Sequence, residues 1–170
     1  MNMSSVAEST LEGPQSSPAE DPSVTLSHVT QVWKRIYASS PVYSFFFPNV
    51  NIVHATPGLL RARLVLGPNH INSKHTLHGS VSATLVDWAG GLVIASKGLD
   101  STGLSTDLNV TYVSTAKEGE EIEIEATLLR LGRNMGFTRV EIRKLNGEVV
   151  ACGNHTKYVV RDTKSEKEKK

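Results

Sequence analysis

Residues 76–97 read TLHGSVSATLVDWAGGLVIASK, and this stretch decides the fold. Val81, Leu85, Trp88 and Leu92 recur along one side of a helix beginning near Gly79. Ala83, Gly90 and Ile94 fall on the opposite side, and a helix apolar on both sides is enclosed by other structure. The only formal charge between Thr76 and Ser96 is Asp87. The run is long enough to raise a membrane span. His78, Asp87, three glycines (Gly79, Gly90 and Gly91) and several hydroxyl residues argue instead for a helix buried within the protein, with no membrane segment.

Around that helix the period changes to two. Leu60, Ala62, Leu64 and Leu66 alternate with Arg61 and Arg63, predicting a strand with one buried face. Pro68-Asn69 opens a loop that reaches to Leu77. After the helix, Leu104–Tyr112 and Glu121–Leu128 alternate in the same way, followed by strands over about 135–145 and 149–160. Asn146-Gly147 marks a hairpin between the last two, because both residues tolerate positive φ. Before the first strand, Leu26, Val29, Trp33, Ile36 and Tyr37 keep helical spacing, with Ser23 and Thr25 as candidate N-caps and Ser39-Ser40-Pro41 as the stop. Phe45-Phe46-Phe47-Pro48 reads as an aromatic knot packed on the body. The fold class is α+β: one long helix clasped by a curved, mostly antiparallel sheet.

The chain has 170 residues, room for one domain. Lys plus Arg number 18 and Asp plus Glu 17, a net charge of +1 that argues against a nucleic-acid binder. The charges are uneven. Residues 1–22 hold Glu8, Glu12, Glu20 and Asp21 without a base, and read as a disordered acidic head. Residues 161–170 form a lysine-rich tail, leaving 23–160 as a mildly basic domain. The head resembles neither a basic transit peptide nor an apolar secretory signal, so a cytoplasmic location is expected, with a mitochondrial one as the alternative. One cysteine, Cys152, excludes a disulfide scaffold, and six scattered histidines give no zinc spacing, so no metal is expected.

Few residues carry chemistry. A carboxylate inside an enclosed helix is costly unless paired, so Asp87 is either a structural aspartate or a general base or nucleophile. His78-Gly79 stands at a helix start, where free N–H groups favour a developing oxyanion. Asn72 by itself is a turn residue, and Ser105 one polar position of an alternating strand.

Taken jointly, these residues resemble a family. Asn72, His78-Gly79 and Asp87, with the segments TLHGSVSATLVD, STDLNVTYVSTAKEGEEI, GRNMGFTRVEI and ACGNHTKYV, are similar to the hotdog-fold acyl-CoA thioesterases. The likeness is to their phenylacetate-pathway branch and its eukaryotic thioesterase superfamily member 2 group, and it covers roughly residues 55–160. Ser80 departs from a glycine common there, with little effect expected. The resemblance implies a homodimer with shared active sites, pairing again to a tetramer. It implies that the Gly79 amide binds the thioester carbonyl and that Asp87, from the facing subunit, activates water or attacks directly. Asn72 would position water or the carboxylate, His78 would orient Asn72, and Ser105 would hydrogen-bond near Asp87. No cofactor is required, because coenzyme A is part of the substrate. Arg133, Asn134, Arg139, His155 and Lys157 are the candidates for its phosphates at the site mouth. The alternatives are a hotdog hydratase or dehydratase, and a non-catalytic module binding acyl-CoA or lipid.

Overall fold

Six antiparallel strands, in the order 51–56, 59–65, 121–131, 135–144, 149–158 and 104–112, form one sheet curved around a single long helix. The structure is a computed structural model and describes residues 22–160. The tail and all of the head except Pro22 lie outside those residues. Helices α1 (Pro22–Ser39) and α2 (Pro41–Phe46) lead into strands β1 (Asn51–Thr56) and β2 (Leu59–Val65). A 3-10 turn (Pro68–His70) precedes α3 (Gly79–Ala95), and β3 (Leu104–Tyr112), β4 (Glu121–Leu131), β5 (Met135–Lys144) and β6 (Val149–Tyr158) complete the chain.

The enclosed helix is α3. Leu85, Val86, Ala89 and Val93 are fully buried, with Trp88 and Leu92 nearly so, in one core with Ile122, Ile124, Val140, Ile142 and Ala151 of the central strands, and buried Ile94 packs against Gly136 of β5. Trp88 also meets Trp33 of α1 edge-on at 5.4 Å, so α1 closes the apolar side that the sheet leaves open. No helix among the described residues is long and apolar enough to cross a membrane.

Three features differ from the sequence reading. Strand β1 was not expected. A bulge at Ile52–His54 breaks its alternation, which removes the signal that identifies a strand. Ser23 and Thr25 are not caps but lie inside α1, with Pro22 in its opening turn. The aromatic knot is partly a helix: Ser40 caps α2, Phe47 is buried, and Phe45 is left exposed. The Asn146-Gly147 hairpin is present, with Gly147 at φ 89°.

The two sheet edges are unequal. β1 is short and lies beside α1. β3 is long, and its apolar residues Leu104, Leu108 and Tyr112 are exposed although the strand alternates well. An edge strand with a hydrophobic, uncovered face is a template for another strand.

Candidate functional site

The site forms where α2, α3, β3 and β6 meet around the Asp87 carboxylate, which is about one-third exposed. Its Oδ2 accepts from the Tyr43 hydroxyl at 2.6 Å. Its Oδ1 accepts from Ser105 Oγ at 3.1 Å and from the Lys157 ammonium at 3.4 Å. His155 Nε2 lies 3.4 Å from Oδ1 and 2.9 Å from Ser105 Oγ, and Lys157 Nζ is 3.3 Å from that same oxygen. Ser105 thus sits between two nitrogens and the carboxylate. The inward step of β6 places His155 and Lys157 together, two residues apart on one face.

The electrostatics follow. Burial pushes the Asp87 carboxyl up, but the Tyr43 hydroxyl, then Lys157, His155 and Ser105, together outweigh it and hold the group below the usual carboxylate range. Burial drives the Tyr43 hydroxyl far above its ordinary value, and the neighbouring carboxylate adds to the effect, so Tyr43 is a permanent donor at neutral pH. Burial lowers His155, with Lys157 acting in the same sense against Asp87, so the imidazole is held neutral. Lys157 is lowered by burial, with Asp87 partly restoring it. A cleft of about 460 Å³ opens over the carboxylate, lined by Tyr43, Val42, Ala83, Thr84 and Leu108 as well as Asp87.

The second half of the site is the start of α3. His78 is the N-cap residue, and its Nδ1 accepts from the Ser80 amide at 3.1 Å and pairs with the Ser80 hydroxyl at 2.7 Å. Gly79 is the first helical residue, so its N–H has no acceptor within the helix. The Tyr112 ring covers Gly79, with its hydroxyl donating to the Gly79 carbonyl at 3.2 Å; a Cβ at Gly79 would lie 3.3 Å from that ring. Asp87 stands eight residues further along α3, about 12 Å at 1.5 Å per residue. One chain therefore does not bring Gly79 and Asp87 to a common atom.

The expected residues fall into separate places. Ser105 bonds Asp87. Within its own chain Asn72 bonds its loop and not Asp87: its Oδ1 accepts from the Lys74 amide and its Nδ2 donates to Thr76 Oγ1, closing a loop in which His75 takes φ 56°. His78 Nδ1 is bonded to Ser80 at the helix start and not to Asn72. Arg133 and Asn134 are exposed in the β4–β5 turn, where Asn134 donates to the Tyr158 hydroxyl. Arg139 points away from Asp87: its neighbours Thr138 and Val140 are buried, so alternation puts it on the outer face, beside Asn109 and Asn154. His155 and Lys157, expected at the mouth, are instead buried beneath the carboxylate, because β6 turns them inward toward α3. No group of His, Cys, Asp and Glu among the described residues has the geometry of a metal site. The sequence alone does not single out Tyr43. Its only sequence signal was a tyrosine three residues after a Ser-Pro helix start.

A family model described as "Thioesterase superfamily" matches residues 74–151, from the loop before α3 into β6. Human acyl-coenzyme A thioesterase 13 is 37% identical over 111 residues, 65% of this chain and 79% of that protein. Zebrafish thioesterase superfamily member 2 superposes with a TM-score of 0.72 at 34% identity, covering 79% of this chain and 98% of that one. A hypothetical thioesterase of Streptococcus pneumoniae, solved with coenzyme A, gives a TM-score of 0.64 at 25% identity over 67% of this chain and 90% of its own. The helix wrapped by an antiparallel sheet is the hotdog fold of these proteins.

Proposed function

The chain belongs to the thioesterase superfamily, and from that premise we propose that it hydrolyses acyl-CoA to a free carboxylic acid and coenzyme A. The observation that carries the mechanism is the ionised, donor-ringed carboxylate of Asp87 facing a cleft. A thioester is already activated, so a carboxylate and well-aimed N–H donors suffice for its hydrolysis. Asp87 takes a proton from water as the water adds to the carbonyl carbon; the C–S bond then breaks and the thiolate of coenzyme A leaves, recovering the proton. If Asp87 attacks that carbon itself, the thiolate leaves as a mixed anhydride forms, and water then hydrolyses the anhydride. The negative charge that develops on the carbonyl oxygen is received by the Gly79 N–H at the positive end of α3.

Those two groups work together if the site is assembled from two subunits. The separation of about 12 Å along one α3 supports that reading. So does the uncovered β3, whose edge accepts the β3 of a second copy and extends the sheet. Ser105 is the bridge that fixes Oδ1, and Asn72 and His78 act by shaping the loop and helix start from which Gly79 projects. Coenzyme A is substrate rather than resident cofactor. Arg133 and Asn134, exposed in the β4–β5 turn, remain the better-placed candidates for its phosphates, while His155 and Lys157 serve the carboxylate.

Thiol release from a panel of aliphatic and aromatic acyl-CoA substrates tests the reading, with Asp87→Asn as control. The variant is expected to lose at least about 100-fold in kcat, the lower end of what one acid–base group contributes. Turnover surviving in Asp87→Asn overturns the mechanism. Saturable acyl-CoA binding without thiol release across the panel overturns the activity.

A further inference from the structure

Asp87 receives two kinds of partner. Oδ1 is held by groups of the sheet, Ser105 on β3 and Lys157 on β6, with His155 close by. Oδ2 is held by Tyr43, from a six-residue helix outside the sheet. Tyr43 and Asp87 also line the same cleft, so Oδ2 lies on the side from which a ligand arrives.

The tyrosine is firmly mounted. The Ser40 side chain accepts from the Tyr43 amide at 3.3 Å, and a proline opens the helix. The ring stacks on Phe47 at 6.0 Å and meets Trp33 edge-on. At the far end of α2, Asn69 Nδ2 donates to the Phe45 carbonyl at 2.6 Å, and the His70 ring bonds the Phe46 carbonyl. The His70 carbonyl in turn accepts the His78 amide at 2.8 Å. One 3-10 turn thus anchors both the helix that carries Tyr43 and the N-terminus of α3.

We propose that Tyr43 is a positioning residue: its hydroxyl fixes the Asp87 carboxylate and presents Oδ2 to the cleft. This rests on the reading of Asp87 as the reactive carboxylate. Each carboxylate oxygen accepts more than one hydrogen bond, so the Tyr43 hydroxyl fixes Oδ2 and leaves acceptor capacity for water. The charged and titratable groups facing Asp87 are Tyr43 from α2 and His155 and Lys157 from β6, with Ser105 of β3 as the neutral donor. Of the hydrogen bonds to Asp87, that of Tyr43 does most to keep the carboxyl ionised.

The test is Tyr43→Phe in the full chain, which removes the hydroxyl and leaves the ring between Trp33 and Phe47. Two quantities are read: the pH profile of thioester hydrolysis, and the titration of the Asp87 carboxyl followed by ¹³C NMR on protein labelled at aspartate Cγ, with Asp87→Asn assigning the resonance. Loss of the hydroxyl is expected to move the carboxyl midpoint, and with it the acid limb of kcat, to higher pH. At neutral pH kcat falls by about 3- to 30-fold with KM within about twofold. A carboxyl midpoint unchanged in Tyr43→Phe overturns the proposal, whatever happens to the rate. A displaced midpoint with an unmoved acid limb, or turnover surviving in Asp87→Asn, overturns instead the reading of Asp87 on which it rests.

Discussion

Replacing Gly90 by alanine tests whether close packing of α3 on the sheet sets the position of the site. A Cβ there would lie 2.8 Å from Thr138 Oγ1 and 2.9 Å from His155 Nδ1, both inside van der Waals contact. Neither neighbour can retreat freely. Thr138 is buried and its hydroxyl donates to the His155 carbonyl at 2.9 Å; His155 is fully buried and tied through Nε2 to Ser105. Overpacking of a closed core costs about 1–3 kcal/mol. Alanine recovers up to about 1 kcal/mol in a helix interior relative to glycine. With overpacking near the middle of its range, about 2 kcal/mol, the net destabilisation is about 1 kcal/mol. Urea unfolding followed by the fluorescence of buried Trp33 and Trp88, at one fixed protein concentration, reads it directly. With a slope of about 2 kcal/mol per molar urea, the middle of the range for small proteins, the midpoint falls by roughly 0.5 M. Because the displaced group is His155, kcat falls while KM changes little. A midpoint equal to or above that of the parent refutes the reasoning, since helix propensity alone predicts stabilisation.

Lys157→Met removes the buried charge beside Asp87 and keeps most of the side-chain volume. The carboxyl then rises, and the acid limb of the rate profile moves to higher pH, as steady-state kinetics across pH will read; an unmoved limb argues that Lys157 does not act on Asp87. Stability also depends on pH through two groups. His155 is held below the usual histidine value of 6.5, so as the pH falls below 6.5 the unfolded chain takes up a proton that the fold refuses, and stability drops. The Asp87 contribution is complete above its usual value of 3.8 and is lost as the pH falls through the lower folded value. His155→Gln is expected to flatten the first of these losses, measured as urea midpoints between pH 7.5 and 5; an identical slope in the variant rules out His155 as its source. Leu104→Asp places a charge at the exposed start of β3, and light scattering after gel filtration is expected to show a smaller species with reduced turnover. A fully active monomer argues against a shared site.

Much of this architecture was legible because burial leaves a period. The α3 stretch is apolar on both sides, and a helix of that kind needs walls; β2, β4 and β6 alternate because each has one face on that helix. Where burial is partial the period fades. The bulge at Ile52–His54 hides β1, and α2 is too short to show a face. At the site the sequence pointed to Asp87 for a physical reason, one charge in an enclosed helix, and the paired His155 and Lys157 answer its cost. Their role was misjudged because alternation along β6 gives two possible faces, and basic residues are by default assigned to the wet one. Here the half-buried carboxylate inverts that default: His155 and Lys157 lie inward beside it and join Tyr43 in favouring its ionised form. Tyr43 had no such handle. A tyrosine in an aromatic cluster looks like packing, and its hydroxyl becomes informative only when α2 brings it to Oδ2 across 44 residues of chain. Strand β3 departs from its pattern in the other direction. Its alternation is that of a half-buried strand, yet Leu104, Leu108 and Tyr112 are exposed. Its period is that of a strand with one covered face, and a second copy laid along the β3 edge would supply the missing cover.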